Sequence, residues 1–243
     1  MKILITGASS GLGAELARQY AKERHELVLL ARRQERLETL CRELQPLGAT
    51  TSFIVADLRD FQGLQKKIQT VQNIDMLILN AGISLGHSDA IPTIEQFAEL
   101  YDVNVLANHA ILEVLLPQMK ERKQGRVVFI SSLASLFSMP SSKVYSSSKR
   151  ALNAYAEGVA YKYAPYGIDV NIILPGFIKS ELTDKNEFHM PFFMETKEGV
   201  KRIKKAIEKN KKFYPFPKRF YYLIQFLRFL PRSVRHYLVE RLS

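Results

Sequence analysis

Along the first 180 residues, short apolar runs alternate with stretches in which apolar residues recur every three or four positions. The runs cover residues 2–6, 26–31, 51–56, 75–79, 126–131 and 169–174, and most are unbroken series of Ile, Val, Leu and Phe. Strands of a parallel sheet are buried on both faces, so they read as continuous apolar segments. Between them, residues 13–22, 34–47 and 64–71 carry the 3.6-residue period of helices, and longer helical regions cover 94–122 and 145–163. This alternation predicts an α/β fold: a doubly wound parallel sheet with helices on both faces, built from right-handed βαβ crossovers. No repeat of solenoid period and no low-complexity linker interrupts it. The pattern reads as one domain over 1–243, with a sheet-forming body to about Gly176. A segment of different composition follows it.

Charge sharpens that division. The net charge is +11, from 35 basic and 24 acidic residues. Residues 197–243 hold 14 basic residues against 3 Glu, which leaves 21 of each sign in the first 196. The basicity is local, so the chain as a whole is not read as a nucleic-acid binder and no nucleic-acid partner is expected. Cys41 is the single cysteine. It excludes a disulfide framework, suits a reducing, cytoplasmic setting, and sits among Leu40, Leu44 and Leu47 as a packing residue. Strand-like Ile3–Ile5 after Lys2 is too short for a signal-peptide core. No apolar run approaches the ~20 residues of a membrane-spanning helix.

The first strand runs into Thr6-Gly7-Ala8-Ser9-Ser10-Gly11-Leu12-Gly13, which opens the first helix. Glycines allow a sharp turn and close approach of a ligand to the backbone, and the helix N-terminus offers unpaired N–H groups to an anion. A bare strand-to-helix turn is the alternative. Its place after the first strand of an alternating chain favours a dinucleotide pyrophosphate.

The T-G-x-x-x-G-x-G spacing resembles the short-chain dehydrogenase/reductase family. Further motifs follow in the family's order: Asn80-Ala81-Gly82 after the fourth strand, Ser132 after the fifth, Tyr145-x-x-x-Lys149 thirteen residues on, and Pro175-Gly176 closing the sixth. The resemblance covers about residues 1–182 and implies a Rossmann-type fold. It implies a cofactor cradle of Gly7, Ser9, Ser10, Gly11, Leu12, Gly13, Asp57, Leu58, Asn80, Ala81, Gly82, Tyr145, Lys149, Pro175, Gly176, Ile178 and Ser180. It further implies a homodimer or homotetramer through the helical regions 94–122 and 145–163. Where the family has Thr, Ser180 keeps the hydroxyl. Asp57 would accept from the adenine amino group, cap the third helix, or both.

An NAD site carries an acid at the end of the second strand, whereas arginine there suits a 2′-phosphate. Here the strand ends Ala31-Arg32-Arg33. Two guanidiniums in that place, with no acid, point to NADP(H).

Tyr145 and Lys149 stand at i and i+4, on one face of a helix. A tyrosine near pKa 10 is a poor acid–base group at neutral pH, and a neighbouring ammonium stabilises its phenolate. Ser132 would orient a substrate oxygen by a hydrogen bond. In the family an Asn of the fourth helix supports a relay water, and Asn104 is the matching residue. Together these imply interconversion of a small-molecule carbonyl and alcohol, with hydride carried by NADP(H). An NAD-dependent alcohol dehydrogenase and a catalytically silent dinucleotide-binding or membrane-tethered protein are the alternatives. The Ser141-Ser142 and Ser146–Ser148 runs read as small-residue packing. No metal site is expected.

Residues 181–212 read as a substrate lid. Phe188-His189-Met190-Pro191-Phe192-Phe193-Met194 within it suits an apolar pocket wall, or equally a lid that merely packs on the body. His189 has no partner visible in the sequence. Residues 213–243 read as a basic, aromatic helical extension. Three readings stay open for it: a helix lying peripherally on a membrane surface, a subunit contact, and simple packing.

Overall fold

In a computed structural model, which describes residues 1–86, 90–184 and 190–242, the seven strands are β1 Lys2–Thr6, β2 Glu26–Ala31, β3 Thr50–Val55, β4 Met76–Leu79, β5 Gly125–Ile130, β6 Ile168–Pro175 and β7 Phe213–Phe216. They form one sheet in the order β3-β2-β1-β4-β5-β6-β7, and every pairing is parallel. Alternate residues of a strand point to opposite faces, and here both sets are apolar. Ile3, Ile5, Leu27, Leu29, Val128 and Ile130 join one core; Leu4, Val28, Leu30, Val127 and Phe129 join the other. The continuous apolar runs follow from this two-sided burial.

One face is covered by α1 (Gly11–Ala21), α2 (Gln34–Leu44) and α7 (Thr196–Glu208). The other is covered by α3 (Phe61–Gln69), α5 (Ala107–Arg122) and α6 (Lys143–Tyr163), with α8 (Lys218–Phe229) adding Ile224. Cys41 is buried against α1 and β2, as a packing residue.

Three departures from the sequence reading have physical causes. The helical region 94–122 is not one helix: α4 (Ile94–Tyr101) gives way to a π-helical segment, Asp102–Leu106, before α5. Such wide turns displace the backbone and are frequent at functional sites. The seventh strand was not foreseen. Phe213-Tyr214-Pro215-Phe216 is only four residues long and contains a proline, which demotes a strand in any sequence reading. It pairs at the sheet edge with 172–175 of β6, so the sheet reaches into the segment assigned to the extension. The basic stretch at 201–212 is mostly α7, whose Val200, Ile203, Ala206 and Ile207 are buried beside α1 while Lys197, Lys201 and Lys205 are exposed. Much of the segment read as lid is therefore part of the body. Among the described residues no helix is long and apolar enough to cross a membrane. Helix α9 (Arg232–Leu242) follows α8.

Candidate active site

The strand order reverses between β1 and β4, and the loops that leave their carboxyl ends part there. Such a crevice is where open α/β sheets take ligands. The loop after β1 is held by Thr6, which is fully buried. Its hydroxyl oxygen accepts the N–H groups of Asn80 and Ala81, each at 3.0 Å, and the Asn80 amide donates back to the Thr6 carbonyl at 3.0 Å. The two loops are thus welded side by side. Gly7 has φ +65°, and a Cβ there would stand 2.9 Å from the Ala81 Cα; one at Gly13 would stand 2.3 Å from the Gly7 carbonyl oxygen. Any larger residue would push the helix off the turn.

The cleft gathers Gly7, Ser9, Ser10, Gly11 and Leu12 from this turn and Arg32 and Arg33 from the end of β2. Asp57 and Leu58 come from beyond β3, Asn80, Ala81 and Gly82 from beyond β4, and Ser132 from beyond β5. Tyr145 and Lys149 of α6 and Pro175, Gly176, Ile178 and Ser180 beyond β6 complete it. Of the residues read from the sequence, Gly13 and Asn104 do not line it. Gly13 acts from behind, as just described. Asn104 is fully buried in the π-helical segment. Its Oδ1 accepts from the Ile83 N–H at 2.8 Å, and its amide donates to the Ile83 carbonyl and to Ser148 Oγ, both at 3.1 Å. It ties the loop beyond β4 to α6. The serines of α6 serve the same packing: Ser148 donates to the Tyr145 carbonyl and Ser147 accepts from the Tyr101 hydroxyl.

Ser132, Tyr145 and Lys149 converge at one end of the cleft. Ser132 caps a short 3₁₀ turn, accepting the Ala134 N–H at 3.1 Å, which fixes its side chain. Burial pushes the Tyr145 phenol up to about 12, and the hydrogen-bonding Ser132 hydroxyl pulls the other way. Lys149 is almost wholly buried and donates to the Ile130 carbonyl at 3.0 Å. Burial brings it down to about 8. Its ammonium is 5.9 Å from the Tyr145 ring centre. The expectation that the ammonium lowers the phenol is thus outweighed by desolvation of both groups.

At the other end, Ser10 precedes α1, but its hydroxyl does not cap the helix, and no acid lies in the first turn. The opening N–H groups of α1 face the cleft without a side-chain acceptor, as an anion site requires. Asp57 does not cap the third helix; Asp60 does, accepting from Gly63. Asp57 instead grips the Arg59 guanidinium at 2.7 Å, which holds its carboxyl down at about 2. The cradle, the free helix start and the guanidiniums fit a phosphorylated dinucleotide.

Among the residues that escaped the sequence reading, Thr183 and Glu181 line the cleft, and Arg59 and Arg36 pair with carboxylates that line it. Thr183 is buried, and its hydroxyl donates to the Ile178 carbonyl at 3.0 Å. Arg59 follows Asp57 too closely to be told from a loop charge. Glu181 and Arg36 meet across 145 residues of chain, and no local pattern marks such a pair. Phe188 and His189 lie outside the described residues.

The family model described as "short chain dehydrogenase" matches residues 1–190. An uncharacterized oxidoreductase of Myxococcus xanthus is 36% identical over 220 residues, 88% of this chain and 86% of that protein. The 3-oxoacyl-[acyl-carrier-protein] reductase FabG of Rickettsia bellii is 31% identical, over 75% of this chain and 74% of its own. Among solved structures, a short-chain dehydrogenase from Sphingobium yanoikuyae in complex with NADPH superposes with a TM-score of 0.83 at 26% identity, covering 89% of this chain and 87% of that one.

Proposed function

From the premise that the chain belongs to the short-chain dehydrogenase/reductase family, and is an oxidoreductase acting on CH–OH groups or their carbonyls, we propose that it is an NADP(H)-dependent reductase of apolar ketones or aldehydes. The observation that carries this reading is the convergence of Ser132, Tyr145 and Lys149 in one cleft with the glycine turn and a pair of arginines. The NADPH complex of the Sphingobium yanoikuyae protein supports the choice of dinucleotide.

Gly7, Ser9, Ser10, Gly11, Leu12 and the start of α1 would hold the pyrophosphate, Arg32 and Arg33 the 2′-phosphate, and Asp57 and Leu58 the adenine side. Asn80, Ala81, Gly82, Pro175, Gly176, Ile178 and Ser180 would frame the nicotinamide end. When bound, the dinucleotide supplies the hydride. Ser132 donates a hydrogen bond to the carbonyl oxygen and orients it. Tyr145 Oη gives its proton to that oxygen as negative charge develops there. Lys149 stabilises the phenolate left behind, and burial sharpens that attraction. Asn104 is a positioning residue that keeps the loop beyond β4 and α6 in register.

An apolar substrate is supported by the aromatic wall beside Gly176. Phe220, on the first turn of α8, packs on Phe177 and Phe192 with ring centres 5.8 and 5.7 Å apart. The outer face of α8 exposes Tyr222, Leu223, Phe226 and Phe229, with Phe229 87% exposed and Arg219 and Arg228 alongside. Apolar residues flanked by cations suit a surface of anionic lipid, and that is the partner proposed for residues 217–243. Self-association is proposed through the helical region 94–122 and α6, where Leu106, just before α5, and Tyr161 of α6 are exposed.

The test is titration of NADPH against NADH, with the R32A/R33A double variant beside the wild type, followed by a carbonyl screen. Preference for NADPH that disappears in the variant, with turnover of apolar ketones, is expected. Tight NADPH binding without turnover of any carbonyl would leave a silent dinucleotide-binding protein instead.

A further inference from the structure

Arg33, one of the two arginines assigned to the 2′-phosphate, already holds an anion of the chain's own. Glu181 lies in the turn that leaves β6, one residue beyond Ser180. Its Oε2 accepts from Arg33 Nη1 at 2.8 Å and from Ser10 Oγ at 3.1 Å, while its Oε1 accepts from Arg36 Nη1. Arg33 is further braced by Ser9 Oγ, at 3.0 and 3.1 Å, and by Ser10 Oγ at 2.6 Å. One carboxylate thus takes the serine hydroxyl of the glycine turn and two guanidiniums. A phosphate monoester offers the same donors the same kind of oxygen, with more charge. The contact holds Glu181 ionised, with its carboxyl brought down to about 2.

We propose that Glu181 is a built-in competitor for the 2′-phosphate subsite: it closes the turn 180–184 over the glycine loop and must be displaced when a 2′-phosphate binds. Arg36, on the first turn of α2, becomes a third cationic ligand of that phosphate. The inference rests on the NADP(H) reading above and deepens it. A carboxylate at this point repels a 2′-phosphate but accepts a hydrogen bond from a 2′-hydroxyl. Glu181 therefore narrows the preference for NADPH over NADH, and its removal widens it. Glu181, Arg33 and Arg36 are each 40–51% exposed, so the competing contact is screened and modest.

The experiment compares adenosine 2′,5′-bisphosphate with adenosine 5′-monophosphate by calorimetry on the wild type, Glu181→Gln and Arg36→Ala. Loss of one or two exposed ion pairs predicts that Glu181→Gln binds the bisphosphate about three- to tenfold more tightly. Its affinity for the monophosphate, whose 2′-hydroxyl loses a carboxylate acceptor, should not rise. Arg36→Ala should weaken the bisphosphate alone. Equal shifts for both nucleotides, or no shift in Glu181→Gln, would overturn the proposal. If the wild type also binds NADPH in an Arg33-dependent way, only the role of Glu181 falls. If the wild type binds none of the nucleotides, the NADP(H) reading falls and this one with it.

Discussion

The Lys149 ammonium donates to the Ile130 carbonyl at 3.0 Å, inside a wall that excludes nearly all solvent from it. Desolvation brings this lysine from an ordinary 10.5 to about 8, so the folded protein opposes its charge. The unfolded chain binds more protons between those two values, and stability must rise with pH across that interval. The shift corresponds to about 3 kcal/mol. Tyr145, held up at about 12, acts in the opposite sense once pH passes 10, so the clean window is pH 8 to 10. Urea denaturation at pH 7 and pH 9.5 should show a gain for the wild type and a much smaller one for K149M. K149M should also be the more stable protein at pH 7 and the less active one. An equal gain in both would remove Lys149 as the source.

Tyr145 is the proposed proton donor, and Y145F keeps its ring while removing the hydroxyl. Y145F is expected to lose about 10²–10⁴-fold in kcat/KM while binding NADPH as the wild type does. Steady-state kinetics together with a binding titration decide this. Retained turnover would mean that the proton comes from elsewhere.

Thr6 joins two loops through one hydroxyl. T6V keeps the shape but leaves the Ala81 N–H without its acceptor, whereas the Asn80 N–H retains the Ile78 carbonyl at 3.1 Å. An orphaned buried donor costs about 1–3 kcal/mol. A fall of that size in unfolding free energy is expected, with weaker dinucleotide binding because Gly7 loses its neighbour. Unchanged NADPH affinity would show that the turn keeps its shape without this bond.

On α8, Phe226 and Phe229 project outward and contribute no core contact. F226S/F229S should leave stability and activity on a water-soluble ketone unchanged. Flotation with phosphatidylglycerol vesicles should show binding of the wild type and a several-fold loss in the variant, and vesicles of phosphatidylcholine alone should bind neither well. Equal flotation of both proteins, or a concentration-dependent change in mass abolished by the variant, would turn this face into a subunit contact.

The sequence alone determined the parallel sheet, because strands buried on both faces must be apolar at every position, as 3–5, 27–31 and 127–130 are. It also determined the glycine turn, the i, i+4 pair Tyr145/Lys149 and the arginines after β2, since each follows from spacing along the chain. Only the tertiary structure decided that Phe213–Phe216 is a strand, for its pairing energy comes from β6 and not from its own four residues. It also set the two ends of the Tyr145/Lys149 pair apart in pKa, because desolvation depends on what the rest of the fold piles around a side chain. Glu181 on Arg33 and Arg36 belongs to the same class. Charges that meet across some 145 residues leave no local period in the sequence, and their attraction becomes strong only when the fold brings them together.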